Sequence, residues 1–169
     1  MSPSPAALPS DSPASRTLIL LLRLALAWVF LYAASHQVLV ANFSIAGFLN
    51  STKTFHGLFA PFTAPGVVGI VSFLVAYGHL LIGLSLLSGL FIRVSAVFGI
   101  GLMLVYWMAH MDFPYISDTN NLLVDEHIVF ALVLGLLIAK HAGHIVGLDG
   151  WLARQHAVHA NKWLDWATA

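Results

Sequence analysis

The sequence contains no cysteine and very little charge. Without cysteine, the chain itself can form no disulfide, thiolate metal site or Cys-ligated iron–sulfur cluster, and it cannot perform thiol redox catalysis. Charged residues make up only 8% of the 169 residues, whereas a soluble domain usually carries about 25%. So few charges cannot solvate a globular surface of this size. Seven Lys and Arg balance seven Asp and Glu, so no polyanionic partner such as nucleic acid is indicated.

Hydrophobic residues, at 59%, take the place of the missing charge. They form four long apolar runs, at 17–40, 66–91, 94–111 and 122–140. Each run approaches the roughly 20 residues that a helix needs to cross a hydrocarbon core of about 30 Å. Strands would leave backbone groups unpaired in lipid. The pattern therefore predicts an all-α membrane protein built as a four-transmembrane-helix bundle.

Two of these runs contain charged residues. A cleaved signal peptide is the alternative interpretation of the first run, but the run is too long for one and contains Arg23. The fourth run carries Asp125 and Glu126 near its start. We keep both as transmembrane helices.

The cationic residues predict the orientation of the bundle. Those expected on one side are Arg16, Arg93, Lys140, Arg154 and Lys162. The other side holds only Lys53. The positive-inside rule then places both termini in the cytoplasm of a cell whose inner (plasma) membrane holds the chain.

Three regions follow from these predictions. Residues 1–15, rich in Pro, Ser and Ala, predict a disordered tail. Residues 16–144 form the transmembrane domain, and 145–169, with Trp163 and Trp166, predict a cytoplasmic interfacial helix.

Two features shape the predicted bundle. The first outer loop, 41–65, is long, apolar and rich in phenylalanine, which fits either an interfacial anchor or a lid over a hydrophobic ligand. The connection around residue 92 is very short, so the second and third helices form a tight hairpin. Small residues predict close packing of these helices, at Gly78, Ser85, Gly89, Ser95 and Gly99.

Nine histidines are the main chemical resource of the chain. His36, His110 and His127 come from three different helices and are expected within roughly 10 Å of the outer boundary. Asp112, Asp125, Glu126, Tyr106 and Trp107 belong to the same layer. His79 is expected roughly 20 Å deep, where an ionisable group by default marks a functional site. Alternatively, His79 is a neutral ring bonded to a neighbouring group such as Tyr77.

Three chemistries could use this layer. A quinone needs an apolar slot, hydrogen-bond donors at its carbonyls and a proton route, and histidine and carboxylate side chains supply the last two. Two histidines from different helices could also ligate haem b, although no spacing points to it. We predict no metal site, because no His-x₃-His or Glu-x-x-His pair occurs within a helix.

Three stretches together carry a family resemblance. They are 22–30 (LRLALAWVF), 78–93 (GHLLIGLSLLSGLFIR) and 142–152 (AGHIVGLDGWL). The sequence from Arg16 to Leu152 resembles the DoxX/DoxD family of small four-helix membrane proteins, and its long first loop is more similar to the DoxD branch. Two positions depart from the family's usual pattern: His79 replaces a glutamate, and Gln37 replaces a frequent lysine.

The resemblance implies a function. DoxD proteins are membrane subunits of thiosulfate:quinone oxidoreductase, which oxidises thiosulfate to tetrathionate and passes the electrons to membrane quinone. Their partner subunit, DoxA, would here be a separate polypeptide. The leading hypothesis is therefore a quinone-linked redox subunit facing an extracytoplasmic donor. The candidate catalytic residues are His79, His110, His127 and Glu126, and the candidate quinone-binding residues are His36, Tyr77 and Trp107.

Two alternatives remain open. The chain could be a non-catalytic anchor or assembly subunit for a redox partner. A small-molecule or lipid carrier is less favoured, because no inverted repeat or broken helix is evident. The sequence leaves the substrate, the quinone type and the oligomeric state open, with a homo-oligomer among the options.

Overall fold

The computed structural model describes residues 12–168. Its helices are α1 (Pro13–Val38), α2 (Ala46–Asn50), α3 (His56–Phe59), α4 (Val67–Ser88), α5 (Ile92–Ala109), α6 (Glu126–Ala139), α7 (Leu148–Leu152), α8 (His156–His159) and α9 (Lys162–Thr168). Two 3₁₀ turns are Ala60–Thr63 and Ala142–His144. Three short strands are β1 (Met111–Asp112), β2 (Tyr115–Ile116) and β3 (Asp118–Leu122). The fold is therefore mostly helical, with one small sheet that the sequence did not indicate.

Three helices among the described residues, α1, α4 and α5, are long and apolar enough to cross a membrane. The fourth apolar helix, α6, has only 14 residues, which is about 21 Å at 1.5 Å per residue. A hydrocarbon core is about 30 Å thick. The fourth span therefore stays a prediction.

The start of α1 lies within the predicted tail. Residues 1–11 of that tail lie outside the described residues. The Ser12 hydroxyl accepts a hydrogen bond from the Ser15 N–H at 3.2 Å, and Pro13 occupies the first helical position. A capping serine followed by proline is a helix-starting pattern, so the helix begins three residues earlier than the predicted Arg16.

The helices pack in two pairs around one core. α1 packs chiefly against α4, and α6 packs chiefly against α5. Phe30, Leu86 and Leu134 are fully buried between the pairs. The two ends of the bundle differ, and we name them by their buried polar groups. The histidine end contains 41–65 and 111–125, and the arginine end contains the α4–α5 connection and 140–149.

The 41–65 segment folds onto the bundle at the histidine end. Its side chains Ile45, Leu49 and Phe59 are buried and pack against Val71 and Val75 of α4. α4 therefore continues past the end of α1, and the 41–65 segment covers the part that α1 does not reach. This arrangement fits the predicted lid more closely than a free interfacial loop.

The three strands form an antiparallel meander at the same end. Met111 pairs with Ile116, and Tyr115 pairs with Leu122. The meander is tied to the 41–65 segment by a bond from Thr54 N–H to the Met111 carbonyl at 3.1 Å and by a Lys53–Asp112 ion pair at 2.5 Å. Because β3 uses residues up to Leu122, the fourth helix begins at Glu126 rather than near 122.

Arg23 organises the arginine end. Its buried guanidinium donates hydrogen bonds to the carbonyls of Ala142, Ile145 and Val146 at 2.6, 2.8 and 3.0 Å. The side chain therefore turns into the bundle and does not snorkel to the membrane surface. This bonding attaches the chain after α6 to the middle of α1.

Asp149 closes the same region from the other side. Its buried carboxylate accepts hydrogen bonds from the N–H groups of Phe91 and Ile92 at 2.7 and 3.0 Å, and so caps α5. Burial raises the pKa of the Asp149 carboxyl, whereas these N–H bonds and the nearby His144 and Arg23 act in the opposite direction. Arg23 and Asp149 therefore both stabilise the fold at this end of the bundle.

The small residues play different roles. The Ser85 hydroxyl donates to the Ser95 hydroxyl at 2.7 Å across the α4–α5 hairpin. A Cβ added at Gly99 would lie 2.9 Å from the Leu134 side chain, so the close approach at this position is to α6 rather than to α4. At Gly78 an added Cβ would meet no described atom within 4 Å, so the prediction was wrong for this position.

Candidate functional site

A cavity of about 250 Å³ opens between α1, α4, α5 and α6 at the histidine end. Its polar wall consists of Gln37, His79, Tyr106, His110 and His127. Its apolar wall consists of Val29, Phe30, Ala33, Met103 and Phe130. The cavity thus combines a hydrocarbon slot with five hydrogen-bonding side chains.

The three cavity histidines are oriented through the same ring nitrogen. Their Nδ1 atoms lie 2.9 Å from Gln37 Oε1 for His79, 2.9 Å from the Tyr106 carbonyl for His110, and 2.6 Å from Asp125 Oδ2 for His127. Amide, carbonyl and carboxylate oxygens only accept hydrogen bonds, so each Nδ1 carries a proton. His79 also hydrogen-bonds the Val75 carbonyl, and among residues 12–168 His110 and His127 have no hydrogen-bond partner at Nε2. In the neutral ring this nitrogen carries the lone pair.

Tyr106 stands at the centre of the histidine group. Its ring centroid lies 5.6 Å from that of His79, 6.1 Å from that of His110 and 5.7 Å from that of His127. The rings of His110 and His127 stack at 4.9 Å. The Tyr106 hydroxyl also interacts with the Gln37 side chain. The aromatic contacts hold side chains from α4, α5 and α6 in one layer.

Asp125 is the buried carboxylate behind this layer. It caps α6, because its Oδ1 accepts the His127 N–H at 3.1 Å, and its Oδ2 bonds the His127 ring. Aspartate is among the best residues at a helix N-cap. An Asp two residues before a His at a helix start can therefore both begin the helix and orient the ring.

His79 occupies a different level from the one its sequence position indicates. It lies beside Gln37, the penultimate residue of α1. The twelve residues of α4 that precede His79 run mostly along the 41–65 segment, so the depth difference from His110 is smaller than the position in the helix indicates. The partner of His79 is Gln37 of the neighbouring helix α1 rather than Tyr77.

The remaining candidate residues lie outside the cavity. The exposed His36 bonds its own helix, at the Tyr32 carbonyl, 3.0 Å away. Tyr77 is 41% exposed and packs on Phe73 on the other face of α4. Trp107 donates to the Leu123 carbonyl at 3.0 Å, and Glu126 is exposed. Of the seven candidates, the structure thus brings together His79, His110 and His127.

Three residues at the site were not among the predicted site residues: Gln37, Tyr106 and Asp125. The buried face of α1 carries Ala27, Phe30 and Ala34, and helical periodicity extends this stripe to Gln37 rather than to His36. Tyr106 precedes His110 by one turn. These two spacings could have been read from the sequence.

Asp125, Glu126 and His127 are the described residues that could hold a metal ion. One ligand atom from each lies within 4.8 Å of the others. They are consecutive at a helix start, so they do not form the helical His-x₃-His or Glu-x-x-His pattern. The haem alternative would require two imidazoles facing each other across a macrocycle. His110 and His127 instead stack ring on ring.

The fold and the cavity define a class: a multi-pass helical membrane protein with a histidine-lined cavity at one end of its bundle. The chain belongs to the DoxX family, whose profile matches residues 18–111. The match covers α1 to α5 and includes His79, Tyr106 and His110. No curated protein matches the chain, and no solved structure matches it.

Proposed function

We propose that the chain is the membrane subunit of a quinone-linked oxidoreductase and that the histidine cavity binds the quinone ring. The observation that supports this most is the convergence of three Nδ1-anchored imidazoles from three helices on one cavity. Apolar Phe30, Met103 and Phe130 would contact the ring faces. A doubly protonated histidine would donate from Nε2 to a quinone oxygen, and a neutral one would accept at Nε2 from a quinol hydroxyl.

Quinone reduction requires side chains that supply protons. Bound quinone accepts two electrons and two protons and leaves as quinol. His127, when protonated on both nitrogens, donates from Nε2, and the Asp125 carboxylate stabilises its charge before the transfer. His110, stacked on His127, can hold the second proton. In this proposal the electrons come from an extracytoplasmic reductant through a separate partner.

The finer proposal names the reductant. In a DoxD-like enzyme, two thiosulfate ions lose two electrons and form one tetrathionate ion, which balances the reduction of one quinone. Its support is the resemblance of the long, phenylalanine-rich 41–65 segment to the DoxD branch. We place thiosulfate oxidation on a DoxA-like partner and quinone reduction on this chain.

Quinone binding by the purified protein in lipid nanodiscs tests the proposal. The probe is a benzoquinone without a tail, and the variants are His79→Ala and His127→Ala. We expect each variant to bind at least about tenfold more weakly, the effect of one lost hydrogen bond of about 1.4 kcal/mol. His36→Ala is the matched control, because this ring lies outside the cavity, and its affinity should stay unchanged.

Quinone reduction in membranes with thiosulfate as donor separates catalysis from anchoring. The two cavity variants should lose reduction and keep a wild-type melting temperature. Full binding and full reduction in both would remove the catalytic assignment and leave the non-catalytic anchor. A Soret band in the purified protein would favour haem instead.

A further inference from the structure

A second cavity lies beside the histidine cavity, between α4, α5 and the 41–65 segment. It measures about 320 Å³. Hydrocarbon side chains line it, among them Leu49, Phe59, Phe62, Val71, Leu102 and Met108. The first cavity is polar on one side, whereas this one offers no hydrogen-bonding side chain except Tyr106.

Two aromatic rings separate the cavities. Tyr106 lines both of them. Phe48 lines the second cavity, and its ring centroid lies 5.4 Å from that of Tyr106 and 4.9 Å from that of His110. The hydrocarbon cavity therefore adjoins the back of the histidine site across these two rings, and no charged side chain lines either cavity at this junction.

The volumes of the two cavities indicate that one ligand would need both. Ligand pockets for drug-sized molecules usually measure about 300–1,000 Å³. The histidine cavity alone, at about 250 Å³, accommodates a ring but not a ring with a long substituent. The second cavity, at about 320 Å³, supplies space of the right polarity for that substituent.

We propose that the second cavity binds the isoprenoid tail of a quinone whose ring occupies the histidine cavity, with Tyr106 and Phe48 at the junction. This inference rests on the proposed function. A phospholipid chain is the competing occupant, and a cationic group near the cavity would favour it by binding its phosphate. The lysine of the covering segment, Lys53, is already paired with Asp112, and the junction carries imidazole and phenol groups, which suit a quinone oxygen.

Filling the second cavity tests the proposal. Val71→Phe places a ring in it, two turns of α4 away from His79. Val97→Phe is the matched control, because Val97 is 51% exposed on α5 and lines neither cavity. The probes are one benzoquinone ring with a tail of several isoprene units and the same ring without a tail, both measured in nanodiscs.

We expect Val71→Phe to weaken binding of the tailed quinone at least about tenfold, the order expected when several buried methylene groups are lost. Binding of the tail-free ring should change by less than about twofold. Val97→Phe should change neither. The tail also partitions into the nanodisc lipid, which changes the apparent affinity of every variant equally. The ratio of the Val71→Phe affinity to the Val97→Phe affinity for the same probe is free of this effect. If Val71→Phe does not fold, Leu58→Trp fills the same cavity from α3, where Leu58 is 53% exposed.

Each other outcome is decisive. Equal losses for tailed and tail-free probes, or no loss for either, would overturn the tail site while leaving the ring site standing. A wild-type protein that binds neither probe refutes the proposed function itself. Phospholipid that co-purifies with the wild type but not with Val71→Phe, together with unchanged quinone binding, would assign the cavity to a lipid chain.

Discussion

The role of each imidazole depends on which of its ring nitrogens is already bonded. In His79, His110 and His127 the Nδ1 is bonded to an oxygen of Gln37, Tyr106 and Asp125, respectively. Only His127 has a carboxylate as its Nδ1 partner, so it is the ring best suited to hold an added proton. Asp125 therefore acts as a positioning residue, although it does not line the cavity itself.

Asp125→Asn should separate this role from helix capping. Asparagine caps a helix about as well as aspartate, so we expect an unchanged melting temperature and an unchanged KM for quinone. The amide cannot stabilise a charged His127 as a carboxylate does, so kcat for quinone reduction should fall by about tenfold to a hundredfold. Steady-state reduction in membranes measures both constants.

Asp125→Ala is the companion variant. It removes the cap as well, and should lower both the melting temperature and kcat. If Asp125→Asn kept the wild-type kcat, the carboxylate would have no part in proton transfer.

At the scale of elements, the stretches that carry the family resemblance meet at the arginine end. A Cβ added at Gly89 would lie 2.9 Å from the Arg23 guanidinium and 2.6 Å from the Gly147 Cα, and the Asp149 N–H donates to the Gly89 carbonyl at 2.9 Å. These residues join α1, the α4–α5 turn and the 142–152 stretch. The two positions that depart from the usual pattern, Gln37 and His79, are bonded to each other at the opposite end.

Gly89 and Gly78 should respond oppositely to alanine. Gly89 has a φ of +69° and no space for a Cβ, so Gly89→Ala should destabilise the protein by about 2 kcal/mol or more. Gly78 lies inside α4 with no described atom within 4 Å of an added Cβ. Gly78→Ala should stabilise it by about 0.5–1 kcal/mol through helix propensity.

Unfolding midpoints of the two variants in one detergent measure the contrast. Gly78→Ala serves as the matched control for Gly89→Ala, because both lie in or at the end of the same helix. Equal midpoints would show that the close approach at the α4–α5 turn contributes little to stability.

The sequence predicted the long apolar helices, whose formation depends on the composition and length of one continuous segment. Apolar runs at 17–40, 66–91 and 94–111 became α1, α4 and α5 to within a few residues, because an apolar chain in lipid must satisfy its own backbone. The 41–65 and 111–125 regions were not predicted in detail. Their short helices and strands are held by contacts distant in sequence, such as Thr54 to Met111, which no local pattern reveals.

At the scale of the whole molecule, the bundle has two chemically different ends. One end buries Arg23 and Asp149 in a capped junction of backbone groups. The other gathers imidazoles around a cavity and covers them with the 41–65 segment. If α6 crosses the membrane, the meander and the C-terminal helices lie on opposite sides, and the orientation predicted from the cationic residues would open the cavity to the extracytoplasmic side.

The absence of cysteine makes this topology directly measurable, because a single introduced thiol is the only one in the chain. Thr119→Cys lies in the exposed meander, and Ala160→Cys is exposed between α8 and α9. With a membrane-impermeant maleimide, we expect Thr119→Cys to be labelled in intact spheroplasts and Ala160→Cys only after permeabilisation. Labelling of both in intact spheroplasts would mean that the 14 residues of α6 do not span the bilayer. Labelling of Ala160→Cys alone would invert the orientation, and the histidine cavity would then face the cytoplasm, where an extracytoplasmic reductant could not reach it.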